Sequence, residues 1–379
     1  MYLKKIKLHN FRNYEKLSIS LTKGINIIYG KNAQGKTNLL ESIYVLGFTK
    51  SHRAFIDNSL IKMNNEYLTI EGIINKDKID SKFNIYIDKN KKILKCNDSI
   101  IKKVNNYISL VNIIIFYPED LDLVKGSPKI RRKFLDLEIS QLYSNYYVLI
   151  TEYNKLLRIR NDYLKKLKMN LSKDLNYLSI LDDYIIDKSI SIYKLRKKYV
   201  DRLNEEAATI YENIIGIKDF HINYVMNCES KFDESNFKEK YKTEFNSKLE
   251  SDIKFCTTSV GPHKDELEFY LGDKNLKYYG SQGQQRVAVL STKLSEIEIL
   301  KKYKETTPIL LLDDVFSELD IKVQNNLLKY ITKGVQTIIT TTDLNKLESK
   351  LIKKSKLFNI ENGVVKKIKE TNYNVSIEK

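Results

Sequence analysis

Cysteine, histidine, proline and arginine are all scarce in this chain of 379 residues, and each shortage narrows what the protein can be. The cysteines are Cys96, Cys228 and Cys256. An odd number at such wide spacing fits reduced thiols and excludes a disulfide framework. His9, His52, His221 and His263 share no metal-ligand spacing with them or with one another, so no structural zinc site is expected. No apolar run approaches the roughly 18 residues of a membrane span, and the opening MYLKKIKLHNFRNY lacks the apolar stretch of a signal peptide. The expectation is a cytoplasmic protein with no membrane partner.

The shortage of proline and glycine organises the chain. Between Pro128 and Gly216 neither residue occurs, and uninterrupted stretches of that kind read as long helices. Leu135, Ile139, Leu142, Tyr146, Leu149, Tyr153 and Leu156 step by four and three, the spacing of one helical stripe. A second stripe runs through Leu181, Ile185, Ile192, Leu195 and Tyr199, after a polar break near Asn170–Asp174. The pattern predicts an antiparallel helical hairpin, inserted into something else.

The flanks read as mixed α/β. Strands are expected at Lys5–His9, Gly24–Tyr29, Tyr67–Ile74, Phe83–Ile87 and Val111–Tyr117, with short buried strands at Ile309–Leu312 and Thr337–Thr340. The simplest organisation is one discontinuous α/β domain, 1–118 and 256–379, around a helical insertion at 119–255.

Basic residues are abundant. Lys+Arg number 65 against 48 Asp+Glu, a net charge of +17, which suits a nucleic-acid partner. A lysine-rich, isoleucine-rich composition can also arise without function, so charge alone leaves both readings open. Only nine of those cations are arginine. In such a chain a retained arginine marks a place that needs a planar, bidentate fork.

Three segments carry chemistry. Gly30-Lys31-Asn32-Ala33-Gln34-Gly35-Lys36-Thr37 matches the phosphate loop G-x-x-x-x-G-K-[ST], with an apolar strand before it and a helical pattern from Asn38 after it. Its backbone N–H groups would face phosphate, Lys36 would reach the β and γ phosphates of ATP, and the Thr37 hydroxyl would ligate Mg²⁺. Ile309-Leu310-Leu311-Leu312-Asp313-Asp314 delivers two carboxylates at a strand end. Asp313 would hold the metal through water and Asp314 would polarise the attacking water. Ser281-Gln282-Gly283-Gln284-Gln285-Arg286 precedes an apolar helix. Ser281 there is either a plain helix cap or, with Gly283 and Gln284, a second phosphate grip serving the nucleotide of another subunit.

The order GKNAQGKT, SQGQQR, LLLDDVFSELD resembles the ABC-type ATPases, in which one protomer's signature turn closes over its partner's nucleotide. More closely, LHNFRNYEKL, KSHR at 50–53, FYPEDLDLVKGSPKIRRKFLDLEI, GPHKDEL and SQGQQR resemble the bacterial RecF family from end to end. The resemblance implies an ABC-type head, a mixed sheet with flanking helices, carrying an inserted α-helical domain. It further implies an ATP-dependent homodimer that clamps single- and double-stranded DNA at junctions and acts with RecR and RecO to promote RecA loading. Ser317-Glu318-Leu319-Asp320 resembles the loop through which two heads communicate. Thr342, followed by Asp343, takes the place of the usual switch histidine, and Asp314 that of a longer catalytic glutamate, so slow hydrolysis is expected. Arg53, Arg131 and Arg132 are candidates for phosphate contacts to DNA, and His263 for a structural turn. The alternative reading is an ATPase subunit of another ABC class, either a transporter or a chromosome-maintenance protein of the SMC type.

Overall fold

A computed structural model describes residues 1–54, 56–228, 236–319, 321–331 and 334–370. The chain forms two compact units, one of Met1–Asp120, Asn213–Gly216 and the chain from Lys293 onward, the other of Leu121–Glu212 and Ile217–Thr292. The C-terminal boundary departs from expectation. Residues 256–292, assigned above to the ATPase part, belong with the helical unit, and the border falls inside the helix Gln282–Lys304.

The first unit holds two six-stranded sheets. One is antiparallel and is built from β1 (Tyr2–Phe11), β2 (Tyr14–Ser20), β4 (Tyr67–Lys76), β5 (Ile79–Asp88), β6 (Lys92–Cys96) and β7 (Ser99–Ile100), in the order β2-β1-β4-β5-β6-β7. Its strands β4 and β5 alternate, whereas β1 shifts register between Leu3 and Lys5. Leu68, Ile70, Ile74, Phe83, Ile85 and Ile87 are buried while their neighbours face outward, the pattern of a sheet covered on one side only. The other sheet is mixed. It comprises β3 (Ile25–Tyr29), β8 (Ile113–Phe116), β12 (Ile309–Asp313), β13 (Thr337–Thr341), β14 (Ser355–Glu361) and β15 (Val364–Glu370), in the order β15-β14-β3-β13-β12-β8, parallel except for β15. Its β8, β12 and β13 are buried throughout and read as plain apolar runs because helices, not water, meet them.

The expected strands all occur, extended by a residue or more in most cases. β2, β6, β14 and β15 carry lysines that break the apolar pattern and were not anticipated.

In the second unit a three-stranded antiparallel sheet, β9 (Phe220–Val225), β10 (Glu266–Leu271) and β11 (Lys274–Asn275), accompanies the helices. The first expected stripe is not one helix. Tyr143, with extended backbone at φ −121 and ψ 104, separates Pro128–Leu142 from Ser144–Lys168. A 4-3 spacing continues across such a break because the count of residues does not register the backbone's turn. The hairpin itself is present, formed by Ser144–Lys168 and Leu175–Ile215. Side-chain contacts pair Arg160 with Asp182, Glu152 with Lys188, Tyr146 with Arg196 and Tyr143 with Arg202. One number falls as the other rises, so the helices run antiparallel.

Two buried arginines hold this unit together. Arg160 Nε donates to Asp182 at 2.7 Å while its Nη1 donates to Asp252 at 2.7 Å and to Thr258 at 2.9 Å. Arg196 Nη1 reaches Asp265 at 2.8 Å and the Pro262 carbonyl at 2.7 Å, and its Nη2 reaches Asp136 at 2.9 Å. Each guanidinium uses several of its five N–H groups, which a lysine ammonium could not match. Together they tie helices to the loop before β10.

His263 occupies the structural role expected of it. Its Nε2–H donates to the Thr258 carbonyl at 2.9 Å and its Nδ1 accepts from the Tyr153 hydroxyl at 2.6 Å, so the ring is neutral. Burial pushes its pKa down to about 4. A base whose folded value lies below its unfolded one, about 6.5, takes up its proton first in the unfolded chain. Stability is therefore complete above pH 6.5 and is lost as pH falls toward 4, by about 3 kcal/mol. Urea unfolding between pH 7.5 and pH 4 should show this decline, and His263→Gln should remove that part of it.

Candidate nucleotide site

The turn after β3 is shaped by its glycines. At Gly30 a Cβ would lie 2.3 Å from the Ile360 carbonyl oxygen, and at Gly35, where φ is +113, it would lie 2.6 Å from Asn13 Nδ2. Neither position accepts a side chain. Ala33 is also left-handed at φ 62. Alternation of this kind turns successive N–H groups inward, as an anion-binding nest requires. The helix Lys36–Phe48 then begins directly at the loop, so its unpaired N-terminal N–H groups share the same space.

Lys36 curls back across the turn. Its Nζ donates to the carbonyls of Gly30 and Lys31, both at 2.8 Å. Burial lowers its pKa, and the charges of Asp314 and Asp313 oppose that shift. Thr37 Oγ1 donates to Asp313 Oδ1 at 3.0 Å, joining residues 276 positions apart. Thr340 Oγ1 donates to the same oxygen at 2.6 Å and accepts from the Asp314 N–H at 3.0 Å. Burial raises the pKa of Asp313 despite those two hydroxyls. Asp314 has left-handed backbone, φ 52 and ψ 24, at the head of the 3₁₀ turn Val315–Glu318. Local strain of that kind persists where the surroundings over-determine it, here β13 through Thr340. A hydroxyl beside a buried carboxylate, next to an inward-facing nest, is the donor set that an Mg²⁺–triphosphate would use.

Residues outside the motif brace the loop. Tyr14 hydroxyl donates to the Gly35 carbonyl at 2.9 Å, Asn13 Nδ2 to the Gln34 carbonyl at 3.2 Å, and Asn38 Nδ2 to Asn13 Oδ1 at 2.9 Å. From the β14–β15 turn, the N–H groups of Asn362 and Gly363 reach Gln34 at 2.6 and 3.0 Å. These partners carry no spacing signature relative to the loop, although Asn13 and Tyr14 lie in the LHNFRNYEKL stretch. Thr340 lies in the expected strand Thr337–Thr340 and belongs to no motif.

Arg53 lies at the side of this helix. Its side chain is 43% exposed, 4.0 Å from Glu41, and its Nη1 lies 3.4 Å from Asn38 Oδ1. Glu41 is fully buried and takes a bidentate fork from Arg12 at 2.9 and 2.8 Å together with a hydrogen bond from Ser51.

Arg131 is not at the surface. It is 2% exposed, forked onto Glu266 and hydrogen-bonded to the carbonyls of Leu123, Val124 and Gly126. The half-buried Arg132 donates to the Asp265 carbonyl at 2.8 Å. A guanidinium with its N–H groups engaged in the fold has none to spare for phosphate, which corrects the expectation for Arg131.

In the second unit Ser281 caps its helix. Its Oγ accepts from the Gln284 N–H at 3.2 Å, and Gln284 Oε1 accepts from the Ser281 N–H at 2.9 Å, a reciprocal capping box. Gly283 differs from the loop glycines, since a Cβ there would meet nothing within 4 Å. Thr342 stands immediately beyond β13, and Asp343 caps the following turn by accepting from Asn345 N–H at 2.9 Å. Of the expected communication loop, Asp320 lies outside the described residues.

Similarity to known proteins agrees with this geometry. A model of the RecF/RecN/SMC N terminal domain matches residues 2–366. The DNA replication and repair protein RecF of Bacillus cereus (strain G9842) is 40% identical over 368 residues, 96% of this chain and 98% of the relative. This chain belongs to the RecF family. The RecF of Bacillus anthracis (strain A0248) matches to the same extent. Among solved structures, the recombination mediator protein RecF-ATP in the RecFOR pathway superposes with a TM-score of 0.89 at 34% identity, covering 97% of this chain and 98% of that one. RecF-ATPrS gives 0.88 at 35%, covering 96% and 97%. An Smc head bound to the C-winged helix domain of ScpA, 16% identical with a TM-score of 0.54, shares the ABC-type ATPase fold.

The Glu41 cluster makes a test of how the loop is braced. Burial would raise the Glu41 carboxyl, but the hydrogen bonds of Arg12 and Ser51 and the charges of Arg12 and Arg53 outweigh it and hold it below the ordinary glutamate range. A depressed folded value means stability present at neutral pH and lost as pH falls from about 4.3 through the folded value. Glu41→Gln should lower the denaturation midpoint at pH 7 and flatten its decline below pH 4.5, measured by urea titration across that range.

Proposed function

We propose that the protein is an ATP-dependent DNA-binding protein of replication and repair, whose nucleotide gates a DNA-clamping homodimer. The observation that carries this reading is the contact of Thr37 with Asp313, which completes a nucleotide and metal site from two distant segments. Bound Mg²⁺ would neutralise phosphate charge and orient the terminal phosphate. Thr37 would ligate it directly, and Asp313 would hold it, kept in place by Thr340. Lys36 would exchange its two loop carbonyls for phosphate oxygens, which repay its desolvation better than neutral acceptors do. The loop N–H groups from Lys31 to Asn38 would cradle the remaining charge.

Asp314 would orient the attacking water. One methylene shorter than glutamate, and with Thr342 in place of a histidine, it would do so weakly, so hydrolysis is slow and serves as a timer.

Dimerisation follows from Ser281, Gly283 and Gln284. Glycine is a poor helix former, and no contact within this chain calls for one at Gly283. Close approach of a partner's nucleotide explains it. In that complex Ser281 and Gln284 would turn from their capping box to the partner's phosphate. ATP that favours the dimer must, by linkage, bind more tightly when DNA holds the dimer together. The lysine excess supplies salt-sensitive attraction to duplex and single-stranded DNA, and Arg53 would be the arginine that touches phosphate. RecO and RecR as partners, RecA loading at junctions, and a cytoplasmic setting complete the reading.

Three variants test it by sedimentation with duplex DNA, with and without ATP and Mg²⁺. Lys36→Ala should lose ATP-dependent dimerisation and DNA retention; unchanged dimerisation would refute the gating role of the loop. Ser281→Ala, which also removes a helix cap, should keep monomer nucleotide affinity within about twofold while losing the dimer, because its contact with nucleotide is made in trans. Gly283→Leu, accommodated within the chain, should behave the same way. Equal loss of nucleotide binding by the monomers would place these residues in cis.

A further inference from the structure

The outward face of the antiparallel sheet carries a stack of rings that the nucleotide site does not use. His9 on β1 stacks on Tyr67 of β4, with centroids 5.5 Å apart and planes 9° from parallel, and Tyr67 stacks on Tyr86 of β5 at 5.5 Å and 22°. The three sit diagonally across adjacent strands, since His9 and Tyr86 both pair with Thr69 in the register. Tyr67 is 39% exposed. The ladder therefore stands on the uncovered side of a sheet whose other side is apolar and buried.

Lysines flank it at both ends. Lys16 pairs with His9 across β1 and β2, and Lys7 is two residues along the same face. Beyond Tyr86, the Lys91 ammonium lies 5.8 Å from the ring centroid, and Lys95 faces outward on β6. Among the described residues Lys7, Lys16, Lys91 and Lys95 enter no ion pair closer than 4.0 Å. Glu71 opposite Lys7 and Asp88 opposite Tyr67 share this face, but four lysines around one exposed and two half-buried rings are the combination that single-stranded nucleic acid uses, with bases on aromatic faces and phosphates on lysine. A peptide strand would instead need a free sheet edge or apolar pockets, and this ladder lies within the sheet, on β1, β4 and β5.

We infer that this face is a binding platform for single-stranded DNA, separate from the nucleotide-gated duplex clamp. The inference rests on the DNA-binding reading above and adds a location to it. Bases extend the preformed stack against His9 and, with Lys91 swung from the ring to a phosphate, against Tyr86, and the lysines follow the backbone. Because the rings are ordered before binding, little side-chain entropy is lost on contact.

The test measures anisotropy of a fluorescein-labelled oligothymidine of about 15 nucleotides, titrated with full-length protein, beside a duplex of equal length in ATP and Mg²⁺. Tyr67→Ala/Tyr86→Ala should weaken oligothymidine binding about tenfold or more and leave duplex binding in ATP within twofold, while Tyr67→Phe keeps wild-type affinity. Lys7→Gln/Lys95→Gln alters only exposed groups and should reduce the salt slope by roughly 1.4, about 0.7 for each lost phosphate contact; it serves if the tyrosine variant does not fold. Wild-type protein that does not bind oligothymidine, variants that bind it as wild type does, or parallel loss of oligothymidine and duplex would each overturn the inference. Failure of the ATP-gated reading appears separately, as duplex retention by Lys36→Ala, and does not alter the oligothymidine comparison.

Discussion

The buried carboxylate of Asp313 is the point on which the first unit depends. It ends β12, accepts a hydroxyl from Thr37 after β3, and accepts another from Thr340 on β13. β13 lies between β3 and β12 in the sheet, so the middle strand supplies the hydroxyl that bridges its two neighbours. A carboxylate taken out of water must have such partners or be neutralised. That requirement joins the C-terminal ends of β12 and β13 to the helix that follows β3. It also delivers Lys36, Thr37, Asp313 and Asp314 to one edge, where open parallel sheets place their ligands.

Arginine plays a different part from the one its rarity first suggested. The premise that it marks sites needing a planar fork is correct: Arg12 forks onto Glu41, Arg131 onto Glu266, and Arg160 and Arg196 each engage two carboxylates. Those forks lie in or near the core. Burial favours arginine over lysine because the delocalised guanidinium is more weakly hydrated and its five donors satisfy several acceptors at once. Contact with DNA can be met by lysines, which need only charge and exposure. Scarcity of arginine thus reported on the core more than on the surface.

Much of the site was legible because motif chemistry is local. The phosphate loop requires glycines where a Cβ would strike Ile360 or Asn13, and a lysine and threonine at the helix start, all within eight residues. The braces from Asn13, Tyr14 and Asn362 and the hydroxyl of Thr340 were not legible, since an ordinary polar residue shows nothing of what it will meet on another element, whether that lies 21 residues away, as for Tyr14, or 328, as for Asn362. The helical unit shows the same limit. Its apolar spacing predicted helices and an antiparallel pair, but not the break at Tyr143, where the 4-3 count continues while the backbone turns. Nor did composition show that residues 256–292 pack with those helices, through Asp265, Glu266 and His263.

What the sequence determined by itself is the set of elements with short-range causes: the nucleotide loop, the acidic strand end, the capped helix from Gln282, the hairpin and the family resemblance. Tertiary structure alone decided which arginines are buried, which hydroxyls hold Asp313, and which face of the antiparallel sheet presents a stacked row of rings. The reason is physical. A turn or a cap is specified by neighbours along the chain, whereas burial and pairing depend on which distant segments become adjacent once the apolar faces close.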